Sequence, residues 1–128
     1  MTTDPIADLI NRLKNASAVR REHVVVPFSK MKEAIAQVLS KAGYVGEVSR
    51  TAAGSLQIEL SYREDGRPTI SDAERISKPS RRLYTGSQDI HPVKRGHGLL
   101  VLSTPAGILT GEEARKKHVG GETLFKIW

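Results

Sequence analysis

Ile6, Leu9, Ile10 and Leu13 recur at the i, i+3, i+4, i+7 spacing of one helical face and predict a helix near the start of the chain. Asp4 is suited to cap it, and Pro5 to fill the first helical position, where its missing N–H leaves no bond unmade. The β-branched run Val24-Val25-Val26, closed by Pro27, predicts a short strand. Ser29 can then cap a second helix whose apolar face is Met31, Ile35, Val38, Leu39 and Ala42. Gly43 supplies the permissive residue beyond that helix, and Tyr44 opens the next strand. Leu56, Ile58 and Leu60 alternate with Gln57, Glu59 and Ser61, the period of a half-buried strand, with Thr51 to Gly54 as the hairpin loop before it. The order is αβαββ.

The polar, turn-rich Arg63-Glu64-Asp65-Gly66-Arg67-Pro68 marks a domain boundary, so the expected division is 1–66 and 67–128. Beyond it the chain reads mainly as strand. A weakly patterned strand is expected within Ile70 to Ile76, followed by a turn at Ser77-Lys78-Pro79-Ser80 and a short extended piece at Arg81 to Tyr84. The stretch from Thr85 to His97 is polar, and Leu99 to Leu102 is an apolar run of strand length. Thr110 with Glu113 forms a capping box for a short helix, Gly111 to His118, which Gly120-Gly121 is expected to stop. In a closing strand, Glu122 to Trp128, strict alternation sets Leu124, Lys126 and Trp128 against Phe125 and Ile127. The fold class is α+β: an N-terminal αβαββ domain packed on a mainly antiparallel β domain with one short helix.

Charge sharpens this picture. The chain of 128 residues has a net charge of +6. Residues 1–66 carry nine basic and eight acidic side chains, whereas 67–128 carry eleven and six. Such asymmetry points to a polyanion partner for the second half. Without cysteine, disulfides and thiolate metal sites are excluded, in keeping with a reducing cytoplasm. No apolar run approaches the roughly 20 residues of a membrane span, and the first residues do not read as a secretory signal.

Catalytic chemistry finds no support. His23, His91, His97 and His118 lack metal-ligand spacing, and no cysteine joins them. Gly96-His97-Gly98 has Val101 where a dinucleotide loop needs its third glycine, and it precedes a strand. Ser103 lies outside any nucleophile elbow. Neither cofactor nor metal is expected.

Three segments suit binding. Ser77-Lys78-Pro79-Ser80-Arg81-Arg82-Leu83-Tyr84 sets three cations and two hydroxyls around a turn before an aromatic; these can bond phosphate and ribose, and Tyr84 can stack on a base. The competing reading is an edge strand guarded by cations, with Tyr84 in the core. Ser103-Thr104-Pro105-Ala106-Gly107, expected as a loop between the apolar strand and the capped helix, offers small hydroxyl residues that permit close approach to an RNA minor groove, although a simple turn has the same composition. Arg115-Lys116-Lys117-His118 ends the short helix, where the helix dipole favours cations whatever the function.

Together, Gly96-His97-Gly98-Leu99, Leu102-Ser103-Thr104, Gly107 to Thr110, Glu113-Ala114-Arg115 and Val119-Gly120-Gly121-Glu122 resemble the C-terminal signature of small-subunit ribosomal protein eight, bacterial type. Asp4 to Asp8, Arg12 to Ala16, Ser77-Lys78-Pro79, Tyr84 and the final Trp128 extend the resemblance over essentially the whole chain. It implies a non-enzymatic, cytoplasmic protein of the small ribosomal subunit that binds the central domain of 16S rRNA during assembly and adjoins other ribosomal proteins. Self-repression through its own mRNA is known for some members. By motif, the resemblance puts Ser103, Thr104, Gly107, Tyr84 and Glu122 at the RNA surface, with Asn15, Ser29 and Lys30 as further contacts from the first domain. Lys78, Arg81, Arg82, Lys94 and Arg95 are the expected phosphate contacts. Pro105 stands where the family usually has a second serine, and Ser80 where glycine is common.

Overall fold

The computed structural model describes residues 4–91 and 98–128. The chain divides into two compact units, Pro5–Ser71 and Asp72–Trp128, and Asp4 belongs with the latter. The expected boundary at Gly66 falls within a turn of the first unit. There Arg63 N–H donates to the Arg67 carbonyl, Tyr62 bridges to Pro68, and Thr69 N–H bonds the Ser61 carbonyl.

The first unit runs α1 (Pro5–Ala18), β1 (His23–Pro27), α2 (Lys30–Lys41), β2 (Val45–Arg50) and β3 (Ser55–Leu60). Its sheet is antiparallel, in the order β1-β3-β2. The apolar stripe of α1 and Ile35, Ala36 and Leu39 of α2 are buried, as are the alternate residues Val24, Val26, Leu56, Ile58 and Leu60 of the strands. Burial therefore follows the periods of 3.6 and 2 read from the sequence. The Ser29 hydroxyl caps α2 by accepting from Lys32 N–H at 3.1 Å.

The second unit comprises β4 (Ala73–Arg75), β5 (Tyr84–Thr85), a 3-10 turn (Ser87–Asp89), β6 (Leu99–Thr104), β7 (Gly107–Thr110), α3 (Gly111–Lys116) and β8 (Gly121–Ile127). Its antiparallel sheet has the order β4-β8-β6-β7, and β5 pairs with β8 beyond the end of β4. Leu102 and Leu109 on one face of this sheet pack with Ala114 of α3 and with Ile90, joined by Leu100 and Val119. Asp4 receives two hydrogen bonds from the Arg75 guanidinium, at 3.0 and 3.3 Å, while Arg75 also donates to the Leu124 carbonyl.

Three expectations change. The segment Ser103 to Gly107 is not a loop leading to the helix: Ser103 and Thr104 end β6, and Gly107 opens the extra strand β7. The capping box at Thr110 and Glu113 is present, but the glycine pair does not stop α3. His118 does, in the left-handed region at φ 56°, with its own N–H bonded to Arg115 and Val119 N–H bonded to Ala114. In β8, a register shift opposite Val101 and Leu102 interrupts alternation, so Thr123, Leu124 and Phe125 are all buried.

Candidate nucleic-acid interface

β8 is the axis of the site because it pairs on both sides. Its register sets Tyr84 of β5 against Glu122, Glu122 against Ser103 of β6, and Ser103 against Ile108 of β7. Side chains of directly opposed residues share a face, so Tyr84, Glu122 and Ser103 form one row across three strands. Such a row needs β8 to lie very close to its neighbours, and Gly120-Gly121 permits it. A Cβ on Gly121 would lie 2.1 Å from the Ser103 carbonyl oxygen, and one on Gly120 2.3 Å from that of Thr85. The glycine pair thus serves strand approach.

Tyr84 is 69% exposed, so it is not a core residue. Its ring is available for stacking or for donating through its hydroxyl. Ser103 is half-buried, and among the described residues its hydroxyl has no hydrogen bond. Glu122 is held in place: only 14% of its side chain is exposed, and it lies 3.4 Å from the Arg82 guanidinium. Arg82 and Tyr84, two residues apart, point the same way along the extended segment.

The Thr104 hydroxyl donates to the Gly107 carbonyl at 2.8 Å and accepts from Ala106 N–H at 3.1 Å. It therefore locks the β6–β7 turn and keeps one lone pair for an external donor. Pro105 sits at the first central position of that turn, where its fixed φ is favourable and no N–H is required. Gly107, at φ 110°, is required by conformation, since a Cβ there would meet nothing within 4 Å.

The hydroxyls and cations of the 77–84 segment separate. Ser77 is fully buried, and its hydroxyl donates to the Leu83 carbonyl and accepts from Leu83 N–H. It is a clamp for the turn, out of reach of a ligand. Lys78 and Arg81 exchange both backbone hydrogen bonds at 2.9 Å around Pro79-Ser80. Alternation then sends Arg82 toward Tyr84, whereas Arg81, Leu83 and Lys78 line a groove with Lys126. The expected cation cluster is thus divided between two sides of the sheet. Lys126 was invisible as a partner in the sequence, because only the β4–β8 register brings it beside Glu74. Lys94 and Arg95 lie outside the described residues.

The remaining candidates lie in the first unit. Asn15 is exposed on α1 and shares an open groove with Arg12, Arg21 and His23. Arg12 is three residues from Asn15, a helical spacing that the sequence reading did not use. Ser29 caps α2 and Lys30 is exposed at its first turn. Beside them Arg50 stacks 4.1 Å from the Phe28 ring centre and bonds Glu33 at 2.7 and 2.9 Å. The hydrogen bond from Arg50 holds the Glu33 carboxyl below its ordinary pKa. In the second unit Lys116 pairs with Glu112 at 3.2 Å, and Arg115 and Lys117 are exposed.

Among the described residues no three His, Asp or Glu side chains gather as a metal site, and no helix is long and apolar enough to cross a membrane. The fold and this site define the class: an α+β protein of two units whose second sheet sets a hydroxyl, a phenol, a carboxylate and a guanidinium together at one end. Comparison with known proteins narrows this class. The family model described as "Ribosomal protein S8" matches residues 4–128. Proteins called "Small ribosomal subunit protein uS8" are similar over their full length and that of this chain. Those of Nitratidesulfovibrio vulgaris (strain Miyazaki F), Oleidesulfovibrio alaskensis and Persephonella marina are 47%, 48% and 45% identical. The chain belongs to the ribosomal protein S8 family, a family of structural, non-enzymatic proteins.

Proposed function

We propose that the protein is a structural constituent of the small ribosomal subunit, and that the Tyr84–Glu122–Ser103 row is its docking face for the central domain of 16S rRNA. The supporting observation is that cross-strand register gathers three residues distant in sequence on one rigid face, with Arg82 beside them. Tyr84 stacks on an unpaired base or bonds a 2′-hydroxyl, Ser103 bonds a ribose, and Thr104 accepts through its remaining lone pair. Glu122 holds Arg82 toward the RNA and accepts from a ribose or base donor, since phosphate would repel it. Arg82, Lys94 and Arg95 contact phosphates, and Lys78 and Arg81 add to the attracting field. Asn15, Ser29 and Lys30 provide a subsidiary contact from the first unit. A segment of the protein's own mRNA folded to the same shape would compete for the same face, which is the physical basis for self-repression.

Filter binding to a central-domain rRNA fragment tests this reading. Tyr84→Ala and Ser103→Ala should each weaken binding by about 1 kcal/mol or more without lowering the melting temperature. Wild-type affinity in both variants would remove the row from the interface. Incubation of the fragment with protein and a divalent metal should leave the RNA intact.

A further inference from the structure

The second unit has another preformed surface. A groove of about 330 Å³ is lined by Lys78, Arg81, Lys126, Glu74 and Arg75, whose guanidinium is already bound to Asp4, with Ile76 and Leu83 as its apolar part. Glu74, Ile76 and Lys78 succeed one another at intervals of two, as do Arg81 and Leu83, and Lys126 is the cross-strand partner of Glu74. This places the groove on the opposite side of the strands from Arg82 and Tyr84. Among the described residues Lys78, Arg81 and Lys126 have no carboxylate partner. Leu83 is 38% exposed although it is a large apolar side chain. The turn bearing Lys78 and Arg81 is fixed by its paired backbone bonds and by the Ser77 clamp, so little ordering is needed on binding.

We propose that this groove docks an extended, acidic polypeptide segment with interspersed aliphatic side chains, from a neighbouring protein. Three unpartnered cations around two apolar side chains match carboxylates at the rim and aliphatic groups below them. A nucleic-acid backbone matches less well. Glu74 repels phosphate, and Ile76 and Leu83 offer it neither a donor nor an aromatic face. Because the groove and the Tyr84 row use different side chains on different sides, RNA and polypeptide bind together. The proposal stands even if the RNA face is misassigned.

The test is fluorescence anisotropy of the full chain with a short dye-labelled peptide of alternating Glu and Leu, beside a Glu-Ser control and the rRNA fragment. The Glu-Leu peptide should bind saturably and the Glu-Ser peptide more weakly. Replacing Arg81→Ala and Lys126→Ala together should cost about tenfold in peptide affinity. The same pair should change rRNA affinity by no more than about threefold, the effect of the lost field alone. Tyr84→Ala should leave peptide binding unchanged, and a thermal melt establishes that each variant is folded. Should the paired variant melt early, Lys126→Gln probes the same contact. Absence of saturable binding, or equal binding by wild type and variant, overturns the proposal. A loss of rRNA affinity as large as that of Arg82→Ala would instead assign the groove to RNA.

Discussion

Two adjacent hydroxyls, Ser103 and Thr104, look equivalent in sequence and are not equivalent in structure. Thr104 bonds both the Gly107 carbonyl and Ala106 N–H, so Thr104→Ala should lower folding stability by about 1 kcal/mol in a urea titration. Ser103→Ala removes no internal bond and should leave the urea midpoint unchanged while weakening rRNA binding. If Ser103→Ala were the destabilising one, the division of roles would fail. The tyrosines of the first unit make a separate prediction at this scale. Burial raises the pKa of Tyr44 and of Tyr62 above the ordinary value, against opposing Arg63 and Arg20. A raised folded-state pKa means that the unfolded chain loses these protons first as pH rises. Their contribution to stability is complete below pH about 10 and is lost as pH climbs through the folded values. Tyr44→Phe should therefore flatten the alkaline limb of a stability–pH curve, and an unaltered limb would show that Tyr44 is not responsible.

Elements with many residues in one period were legible from the chain alone, because periodicity is a statement about which side faces the core. The helix bearing Ile6, Leu9, Ile10 and Leu13 and the strand of Leu56, Ile58 and Leu60 needed nothing else. The Thr110–Glu113 box was equally readable, being a local exchange of hydrogen bonds. Register was not. The shift in β8 depends on pairing with a distant strand, so alternation set Phe125 and Ile127 together, as the register does, but could not show that Thr123, Leu124 and Phe125 are buried in succession. β7 was missed because Gly107 to Thr110 is only four residues long and its residues are read as turn and cap. Most of the residues proposed to face RNA came from family motifs; their arrangement as a row, and the separation of Arg81 from Arg82, required the sheet. The end of α3 offers a test of this scale. His118 occupies a left-handed conformation that costs a side-chain-bearing residue about 1–2 kcal/mol. His118→Gly should raise stability by about 1 kcal/mol at unchanged affinity for rRNA, read by thermal melting and filter binding. A lower melting temperature would mean that the imidazole contributes more than the backbone strain removes.

For the whole molecule, net charge and its placement act differently. Residues 67–128 carry nearly all of the excess, yet the sheet sends Arg82 to one side and Arg81 and Lys126 to the other. Total charge governs how quickly a polyanion is drawn in, whereas only cations that touch phosphate release counterions on binding. Salt dependence separates the two. If the three phosphates met by Arg82, Lys94 and Arg95 are neutralised, affinity for the rRNA fragment should fall roughly fortyfold between 50 and 200 mM salt. Arg82→Ala should then reduce the slope of log affinity against log salt by about one, the share of a single phosphate contact. Arg81→Ala removes the same formal charge from the neighbouring residue and should leave the slope nearly unchanged, lowering affinity only at low salt. Equal slope changes for the two arginines would show that RNA reaches both sides of the sheet, and a flat salt response in the wild type would remove phosphate contacts from the account.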